Sequence, residues 1–389
     1  MAAIGIAGVL IWCCCWIRAW RHYHLYQRIP KLIPGNENRP EAAECLPSLT
    51  VIIPACNEAD AIESAAKSLL AQDYPNFELI FVNDRSDDGT GEIIERLAAE
   101  NENLQTIHIT TLPAGWLGKV HALHVATLQA RGEWLLFTDA DVCFEPHALQ
   151  EIMAYALTEG TDHLAGLPKL RPASLALEVA IAAFFATAML FVSPKRVANP
   201  EDPLAVGAGA LNLVRRSAFE TTPGFQWLKM ETIDDIGLGL MMKRSDAQTR
   251  VALAEDQLSL GWYAGLREMA RGLEKNSPGL TGYSLWRAAG LLSLFPLALL
   301  CLGGLLTLDL TTAITLLGVA VCCPWIVGFS MSGGTSFSPV SFLLAPLGFV
   351  LLWFIFARAV SLLWWRGGVN WRGTRYGLAQ LRQGQRIDF

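Results

Sequence analysis

Three groups of aspartate residues lie in order along the middle of the chain, beside apolar runs. Asp84 stands in VNDRSDDGT, Asp139 and Asp141 stand in TDADV, and Asp234 and Asp235 are adjacent in ETIDDIGLGL. Carboxylate oxygens at the ends of buried strands can hold a nucleotide together with a divalent cation such as Mg²⁺ or Mn²⁺. A further carboxylate can take the proton of an attacking hydroxyl group. The pattern therefore predicts an enzyme that acts on a nucleotide-linked substrate.

The segments around these groups alternate between strand and helix patterns. A spacing of about 28 residues between the starts of the first two strands fits right-handed βαβ units and a parallel sheet. Asp84 and Asp139 then follow the second and fourth strands, at the edge where open α/β sheets bind ligands. The predicted strands are Leu49–Pro54, Phe77–Val82, Leu104–Ile109 and Trp134–Thr138, and the predicted helices are residues 59–72, 90–101, from about 119, and 236–243.

Four ordered motifs resemble those of family 2 glycosyltransferases. TVIIPACNE resembles their VxxPxxNE opening, VNDRSDDGT their VDDxSxDxT segment, GKVHAL their GKxxAL and TDADV their DxD motif. The adjacent aspartates are similar to the acidic pair that supplies the base. The resemblance implies an α/β fold of the glycosyltransferase A type, with a nucleotide-binding, mostly parallel sheet flanked by helices. It also implies inverting, metal-dependent transfer of a sugar from a nucleotide-sugar donor.

The same resemblance implies roles for single residues. Asp235 would be the general base, with Asp234 as its neighbour, and Asp141 and Asp139 would hold the metal ion. Structural alternatives stay open, because aspartates also form turns and cap helices, and a lysine is often only solvated. The residues that would contact the donor are Pro54, Glu58, Asp84, Lys119 and Asp139.

Departures from the family pattern reduce the number of reactions that the chain is expected to catalyse. No QxxRW follows the acidic pair, although polysaccharide synthases of the family use that motif to hold the growing polymer. Gly261–Gly279 and Asn370–Tyr376 (NWRGTRY) instead resemble hopene-associated and carotenoid-ester glycosyltransferases. This favours transfer of a single sugar to a lipid, a hopanoid or another polyprenyl-derived acceptor. A processive polysaccharide synthase and a catalytically silent membrane scaffold are the alternatives.

The composition indicates that the chain has one folded domain together with membrane segments. Hydrophobic residues make up 52% and charged residues 17% of the chain, and the mean hydropathy is +0.33, too apolar for an ordinary soluble enzyme. The net charge of −6 without a basic patch excludes nucleic acid as a partner. The predicted divisions are a transmembrane anchor (1–20), a linker (21–47), a cytoplasmic catalytic domain (48–284), a C-terminal transmembrane region (285–365) and a basic tail (366–389).

Membrane placement follows from the basic flanks and from one apolar segment. Arginines after the first apolar run predict an integral protein of the inner or plasma membrane with its catalytic domain in the cytoplasm. Ser174–Val192 is apolar, but it lies between Asp141 and Asp235, and a single crossing would separate the metal site from the base. We therefore predict an interfacial helix there, with Lys195 and Arg196 at lipid phosphates; a buried domain helix is the alternative.

The C-terminal region contains three further apolar segments whose number of crossings the sequence leaves open. Three crossings after a cytoplasmic domain would put the C-terminus outside, whereas the basic tail favours the inside. The segments are Ala288–Leu308, Thr312–Phe329 and Phe342–Leu363.

Overall fold

The computed structural model describes residues 1–31, 46–332 and 337–388 of the chain. A sheet forms the centre of the folded domain. Its strands are β1 (Gln27–Arg28), β2 (Leu49–Ala55), β3 (Phe77–Asp84), β4 (Leu104–Ile109), β5 (Trp134–Phe137), β6 (Cys143–Phe144), β7 (His163–Leu170), β8 (Asn212–Arg215) and β9 (Thr249–Leu260). They run in the order β1-β9-β7-β8-β5-β2-β3-β4, and β6 pairs with β9.

The sheet is mostly parallel, as predicted. β2 pairs in parallel with β3 and β5, and β3 pairs in parallel with β4. The apolar run of β2 is buried almost throughout, as expected for a parallel strand with both faces covered. β8 runs antiparallel to both β5 and β7, a reversal that the sequence pattern did not predict.

Helices cover the two faces of the sheet. In α2 the buried side chains are Ile62, Ala65, Ala66 and Leu69, which confirms the helical spacing of apolar residues. The helices of this part are α1 (Ala2–Tyr23), α2 (Ile62–Leu70), α3 (Thr90–Glu100), α4 (Gly118–Gln129), α5 (Ala148–Thr158), α6 (Leu175–Phe191), α7 (Pro194–Ala198), α8 (Arg216–Phe219), α9 (Phe225–Leu228), α10 (Asp234–Arg244) and α11 (Leu266–Asn276).

The C-terminal part consists of apolar helices followed by a small hairpin. A 3₁₀ turn at Ser277–Thr281 leads into it. Its elements are α12 (Leu285–Leu292), α13 (Leu294–Leu305), α14 (Leu310–Ser332), α15 (Pro339–Leu343), α16 (Ala345–Arg366), β10 (Gly368–Trp371), β11 (Thr374–Gly377) and α17 (Leu378–Gly384). The segments long and apolar enough to span a membrane, among the described residues, are Ala2–Tyr23, Leu285–Leu305, Leu310–Gly328 and Ala345–Arg366.

The N-terminal helix continues into the sheet domain. α1 ends at Tyr23, and β1 then pairs in parallel with β9. Ile29 is buried, so the described beginning of the predicted linker is folded. The rest of that linker, residues 32–45, lies outside the described residues.

The apolar helix α6 packs between the sheet domain and the other apolar helices. At its C-terminal end, the carbonyl oxygen of Leu190 accepts a hydrogen bond from Arg18 Nε of α1, at 2.9 Å. Near its other end, the Glu178 carboxylate accepts hydrogen bonds from Ser338 N and Ser341 Oγ. About half of its residues are buried by protein, and its placement in a membrane interface stays a prediction.

The long helix α16 contacts the sheet domain along its length. Gly348 in its first turns packs so closely on α6 that an added Cβ would collide with the backbone of Val179. Farther along, Arg358 and Arg366 form ion pairs with Glu274 of α11 at 3.0 and 2.7 Å. Both halves of α16 therefore lie against the folded domain.

Candidate active site

One cavity brings together the residues that are predicted to contact the donor, hold the metal ion or act as the base. It has a volume of about 2260 Å³ and opens at the carboxyl ends of β2, β3 and β5. The predicted residues that line it are Pro54, Glu58, Asp84, Lys119, Asp139, Asp141, Asp234 and Asp235. The parallel strands explain this convergence, because their carboxyl ends meet at one edge of the sheet.

Asp84 is a buried carboxylate at the end of β3, and Arg85 neutralises it. Arg85 Nε and Nη2 donate to the two carboxylate oxygens at 2.7 and 3.0 Å. This two-bond geometry is the strongest form of arginine–carboxylate pairing. Arg85 adopts a left-handed backbone conformation, with φ of 59°. The sequence analysis missed this arginine, whose position directly after Asp84 was the available signal.

Two lysines and two aspartates form a chain of charges across the floor of the cavity. Lys119 Nζ lies 2.6 Å from Asp139 Oδ1 and 3.3 Å from Asp234 Oδ2. Lys275 Nζ, from α11, lies 4.0 Å from the other oxygen of Asp234. Burial alone would lower the pKa of Lys119, but the charges of Asp139 and Asp234 raise it above its usual value. Lys119 is therefore ionised and holds two of the predicted acidic groups together.

Lys275 is a second buried cation that sequence reasoning missed. Burial lowers its pKa, and its ammonium group lies 5.1 Å from the centre of the Trp371 ring. Lys275 lies in the Gly261–Gly279 segment, and the similarity of that segment to lipid-directed enzymes was the signal in the sequence that could have pointed to it. The cation thus joins α11 to the C-terminal hairpin.

Asp141 is the acidic group of the site whose negative charge is least offset by nearby cations. Burial and the charges of Asp139 and Glu58 raise its pKa to about 7. A divalent cation beside it would stabilise the ionised form, and carboxylate oxygens are the ligands that Mg²⁺ and Mn²⁺ prefer. Within the described part of the chain, no cluster of three or more His, Cys, Asp or Glu side chains has the arrangement of a metal site. Asp139 and Asp141 alone are two carboxylates, so their role as metal ligands stays a prediction.

The two adjacent aspartates occupy different environments in the first turn of α10. Asp234 faces the lysines, whereas Asp235 Oδ1 accepts a hydrogen bond from the backbone N–H of Ile236 at 2.9 Å. Burial, followed by the charge of Asp234, raises the pKa of Asp235 to about 6. A carboxylate with this pKa is ionised at neutral pH and can still accept a proton, as a general base must.

Glu58, after β2, forms an ion pair with the hairpin β10–β11. Arg372 Nη2 lies 2.5 Å from Glu58 Oε1. Burial raises the pKa of Glu58, and the charge of Arg372 opposes this shift. The hairpin also reaches β3, since Arg85 Nη1 donates to Thr374 Oγ1 at 3.2 Å. The NWRGTRY motif thus borders the cavity, a position that no pattern in the sequence predicted.

Comparisons with known proteins agree with this geometry. Residues 50–222 match the model of glycosyl transferase family 2, so this part of the sheet domain is similar to that family, in agreement with the predicted enzyme class. Glycosyltransferase AglD of Haloferax volcanii is 35% identical over 126 residues, which are 30% of this chain and 19% of that protein. A second similar protein is the GalNAc(5)-diNAcBac-PP-undecaprenol beta-1,3-glucosyltransferase of Campylobacter jejuni, 31% identical over 122 residues.

These relatives match only part of the chain. The match with the Campylobacter protein covers 31% of this chain and 38% of that protein, so the chain spans less than half the length of either relative. A solved structure, the mannosyltransferase PcManGT from Pyrobaculum calidifontis in complex with GDP-Man and Mn²⁺, has a TM-score of 0.55 at 18% identity and covers 94% of this chain and 99% of that one. At this identity the likeness shows the fold, including the apolar helices around the sheet domain.

Proposed function

We propose that this chain, through its family 2 glycosyltransferase domain, transfers one sugar from a nucleotide-sugar donor to a hydroxyl group of a lipid at the membrane. One observation carries the proposal. The cavity that contains Asp139, Asp141 and Asp235 continues without a break between the apolar helices α1, α6, α13 and α16. A lipid could therefore lie among these helices with its polar end at the carboxylates.

The far end of the cavity supports an apolar occupant. Large hydrophobic and aromatic side chains line it: those from α13 include the exposed Leu294 and Leu297, whereas Phe356 of α16 is buried. An exposed apolar surface of this kind is unfavourable in water and is typical of a site for a membrane lipid. Its lining includes Leu294, Phe295, Ala298, Phe349, Trp353 and Phe356.

The two adjacent aspartates would have different roles in the reaction. Asp235 would take the proton of the acceptor hydroxyl group as its oxygen attacks the anomeric carbon. The bond from that carbon to the diphosphate breaks on the opposite face, and the configuration therefore inverts. Asp234, held by Lys119 and Lys275, keeps the charges around Asp235 in place.

The donor would occupy the strand edge next to this base. Asp84 and Glu58 can accept hydrogen bonds from nucleoside hydroxyl or amide groups, and Lys119 lies beside the path of the diphosphate. Asp139 and Asp141 would hold Mg²⁺ or Mn²⁺, which when bound neutralises the negative charge that develops on the leaving diphosphate. Pro54 at the end of β2 lines the same floor.

The acceptor class is proposed from two independent features. The name of the Campylobacter jejuni relative describes an acceptor linked to undecaprenol, a polyprenyl lipid. The segments Gly261–Gly279 and Asn370–Tyr376, which resemble hopene-associated enzymes in sequence, both border the cavity of this chain. A hopanoid or another polyprenyl-derived lipid suits the apolar lining of the space.

The contacts of α16 suggest a resolution of the topology. We propose that α16 lies along the membrane surface instead of crossing it, because it packs at Gly348 on α6, the predicted interfacial helix, and pairs through Arg358 and Arg366 with Glu274 of α11. The crossings would then be α1, the pair α12–α13, and α14. The catalytic domain and the basic tail would share the cytoplasmic side of the membrane, as their basic residues favour.

The lipid site can be tested by filling it. Ala298→Trp places a large ring into the apolar end of the cavity, whereas Leu300→Trp adds the same ring outside that lining on the same helix. In lipid nanodiscs with bacterial lipid extract and labelled nucleotide sugars, the first variant should transfer at least ~10-fold less label to lipid while binding nucleotide normally. The second should resemble the unchanged protein. Unaltered transfer by Ala298→Trp would overturn the lipid site.

A further inference from the structure

The hairpin β10–β11 has a buried base and an exposed tip. Gly368, Val369 and Tyr376 at the base are buried, whereas the tip at Arg372 and Gly373 is exposed. Both tip residues have positive φ, 47° and 74°, which makes a tight turn of the kind that joins two short antiparallel strands. The base thus fixes the position of the hairpin, and the tip extends over the cavity.

An arginine is an unexpected residue for this turn. The first central position of such a turn is favourable for Asn, Asp or Gly, because other residues are strained at positive φ. Nothing in the backbone of the turn requires Arg372. Its guanidinium group points to the cavity, where Nη2 contacts Glu58 and Nη1 contacts the carbonyl oxygen of Asn57 at 3.4 Å.

The hairpin touches three walls of the site where the donor is proposed to bind. Arg372 contacts the segment after β2, Thr374 contacts Arg85 after β3, and Trp371 covers Lys275 of α11. A nucleoside diphosphate lying across the ends of β2 and β3 would therefore lie beneath the tip. The negative charge of its diphosphate would stand close to the guanidinium group.

Arg372 can change partners more easily than the other cations of the site. Arg85 is fixed by two bonds to buried Asp84, and Lys119 is fixed between Asp139 and Asp234. The Arg372 side chain is 34% exposed and sits on a turn. A guanidinium group binds phosphate oxygens in the same two-bond manner as carboxylates.

We infer that the tip of the hairpin β10–β11 completes the donor site, with Arg372 binding the donor diphosphate and Glu58 serving as its partner when no donor is bound. The inference rests on the proposed function, because it requires a nucleotide-sugar donor. On binding, the diphosphate replaces or shares the Glu58 contact. The carboxylate of Glu58 then becomes available to a hydroxyl group of the nucleotide.

The test compares nucleotides that differ by one phosphate. Binding of UDP, GDP and dTDP, and of UMP, GMP and dTMP, is measured by titration calorimetry on the full chain in nanodiscs with Mn²⁺. Arg372→Ala should weaken binding of the preferred diphosphate about 10- to 100-fold. Binding of the corresponding monophosphate should change less than about threefold. The diphosphate affinity of Arg372→Lys should lie between those of the unchanged protein and Arg372→Ala, because lysine keeps the charge but cannot form the two parallel hydrogen bonds of a guanidinium group.

Arg375→Ala is the matched control, since Arg375 lies in the same hairpin and contacts the carbonyl oxygen of Arg366 instead of Glu58. It removes the same charge and should leave the diphosphate affinity unchanged. Equal weakening of mono- and diphosphate binding by Arg372→Ala, or none, would overturn the role of Arg372 while leaving the proposed function standing. Absence of nucleotide binding by the unaltered protein would overturn both.

Discussion

Replacing Asp235 with asparagine separates its chemical role from its structural one. Asparagine has the shape of aspartate and keeps an oxygen that can accept the Ile236 N–H bond, but it cannot take a proton. We expect Asp235→Asn to lower kcat by at least ~10²-fold, the usual contribution of a general base. The dissociation constant of the donor should stay nearly unchanged, because the lost interaction matters only as the proton moves.

The raised pKa of Asp235 gives the expected pH dependence. With a pKa of about 6, roughly nine in ten molecules carry the ionised base at pH 7, and roughly one in ten at pH 5. The kcat of the unchanged protein should therefore fall about tenfold per pH unit well below pH 6. The residual activity of Asp235→Asn should lack this dependence.

The same pKa shift predicts that lowering the pH, which lowers kcat, stabilises the folded protein. The folded-state pKa of about 6 lies above the ordinary value of 3.8, so the folded protein is stabilised as the pH falls through 6 and carries the full cost of the charge above it. Asp235→Asn should therefore raise the melting temperature at pH 7.5 although it lowers kcat.

Asp234→Asn is the matched control at the neighbouring position. It removes the partner of Lys119 and Lys275, and leaving buried cations without their counter-ion is destabilising. Its melting temperature should therefore fall. The measurements are single-turnover transfer, donor titration and thermal unfolding on the three proteins. Normal turnover by Asp235→Asn, or a loss confined to donor binding, would refute its assignment as the base.

Three further predictions concern the metal, the packing of α16 and the topology. Asp141→Asn should abolish turnover and weaken donor binding in Mn²⁺, and full activity of this variant in the presence of a chelator would contradict the metal site. Gly348→Val should lower the free energy of unfolding by about 1–3 kcal/mol, because its side chain meets the backbone of α6; an unchanged denaturation midpoint would contradict the contact. In a cysteine-free background, a cysteine at Thr307 should react with an impermeant maleimide in intact cells, whereas cysteines at Ala173 and Lys195, which flank α6, should react only in opened cells. Labelling of the two flanks from opposite sides would show that α6 spans the membrane.

Local patterns predicted the central strands well because β2 and β3 are largely buried. The runs at 49–54 and 77–82 are mostly apolar, and at these positions and at 104–109 the structure has strands whose ends differ from the predicted ones by two residues or fewer. The reversed strand β8 was not predictable, since its four residues resemble any short buried segment. Its direction is determined by its neighbours β5 and β7, which are distant in sequence.

The acidic residues of the site were predictable because each follows a strand or begins a helix. Two of their partners were not, since Lys275 and Arg372 are distant in sequence from Asp234 and Glu58, which they contact. Arg372 lies more than 300 residues from Glu58 in sequence, and only the path of α16 along the domain brings them together. Long-range packing of this kind leaves no periodic signal in the sequence.

The central claim is that the chain adds one sugar to a membrane lipid, and mass spectrometry of the lipids tests it most directly. Lipids are extracted from cells that express the unchanged protein, Asp235→Asn, or neither. We predict one lipid class that is heavier by the mass of a single sugar residue, present only with the unchanged protein. A ladder of products with many sugars, or identical lipids in all three extracts, would contradict the account.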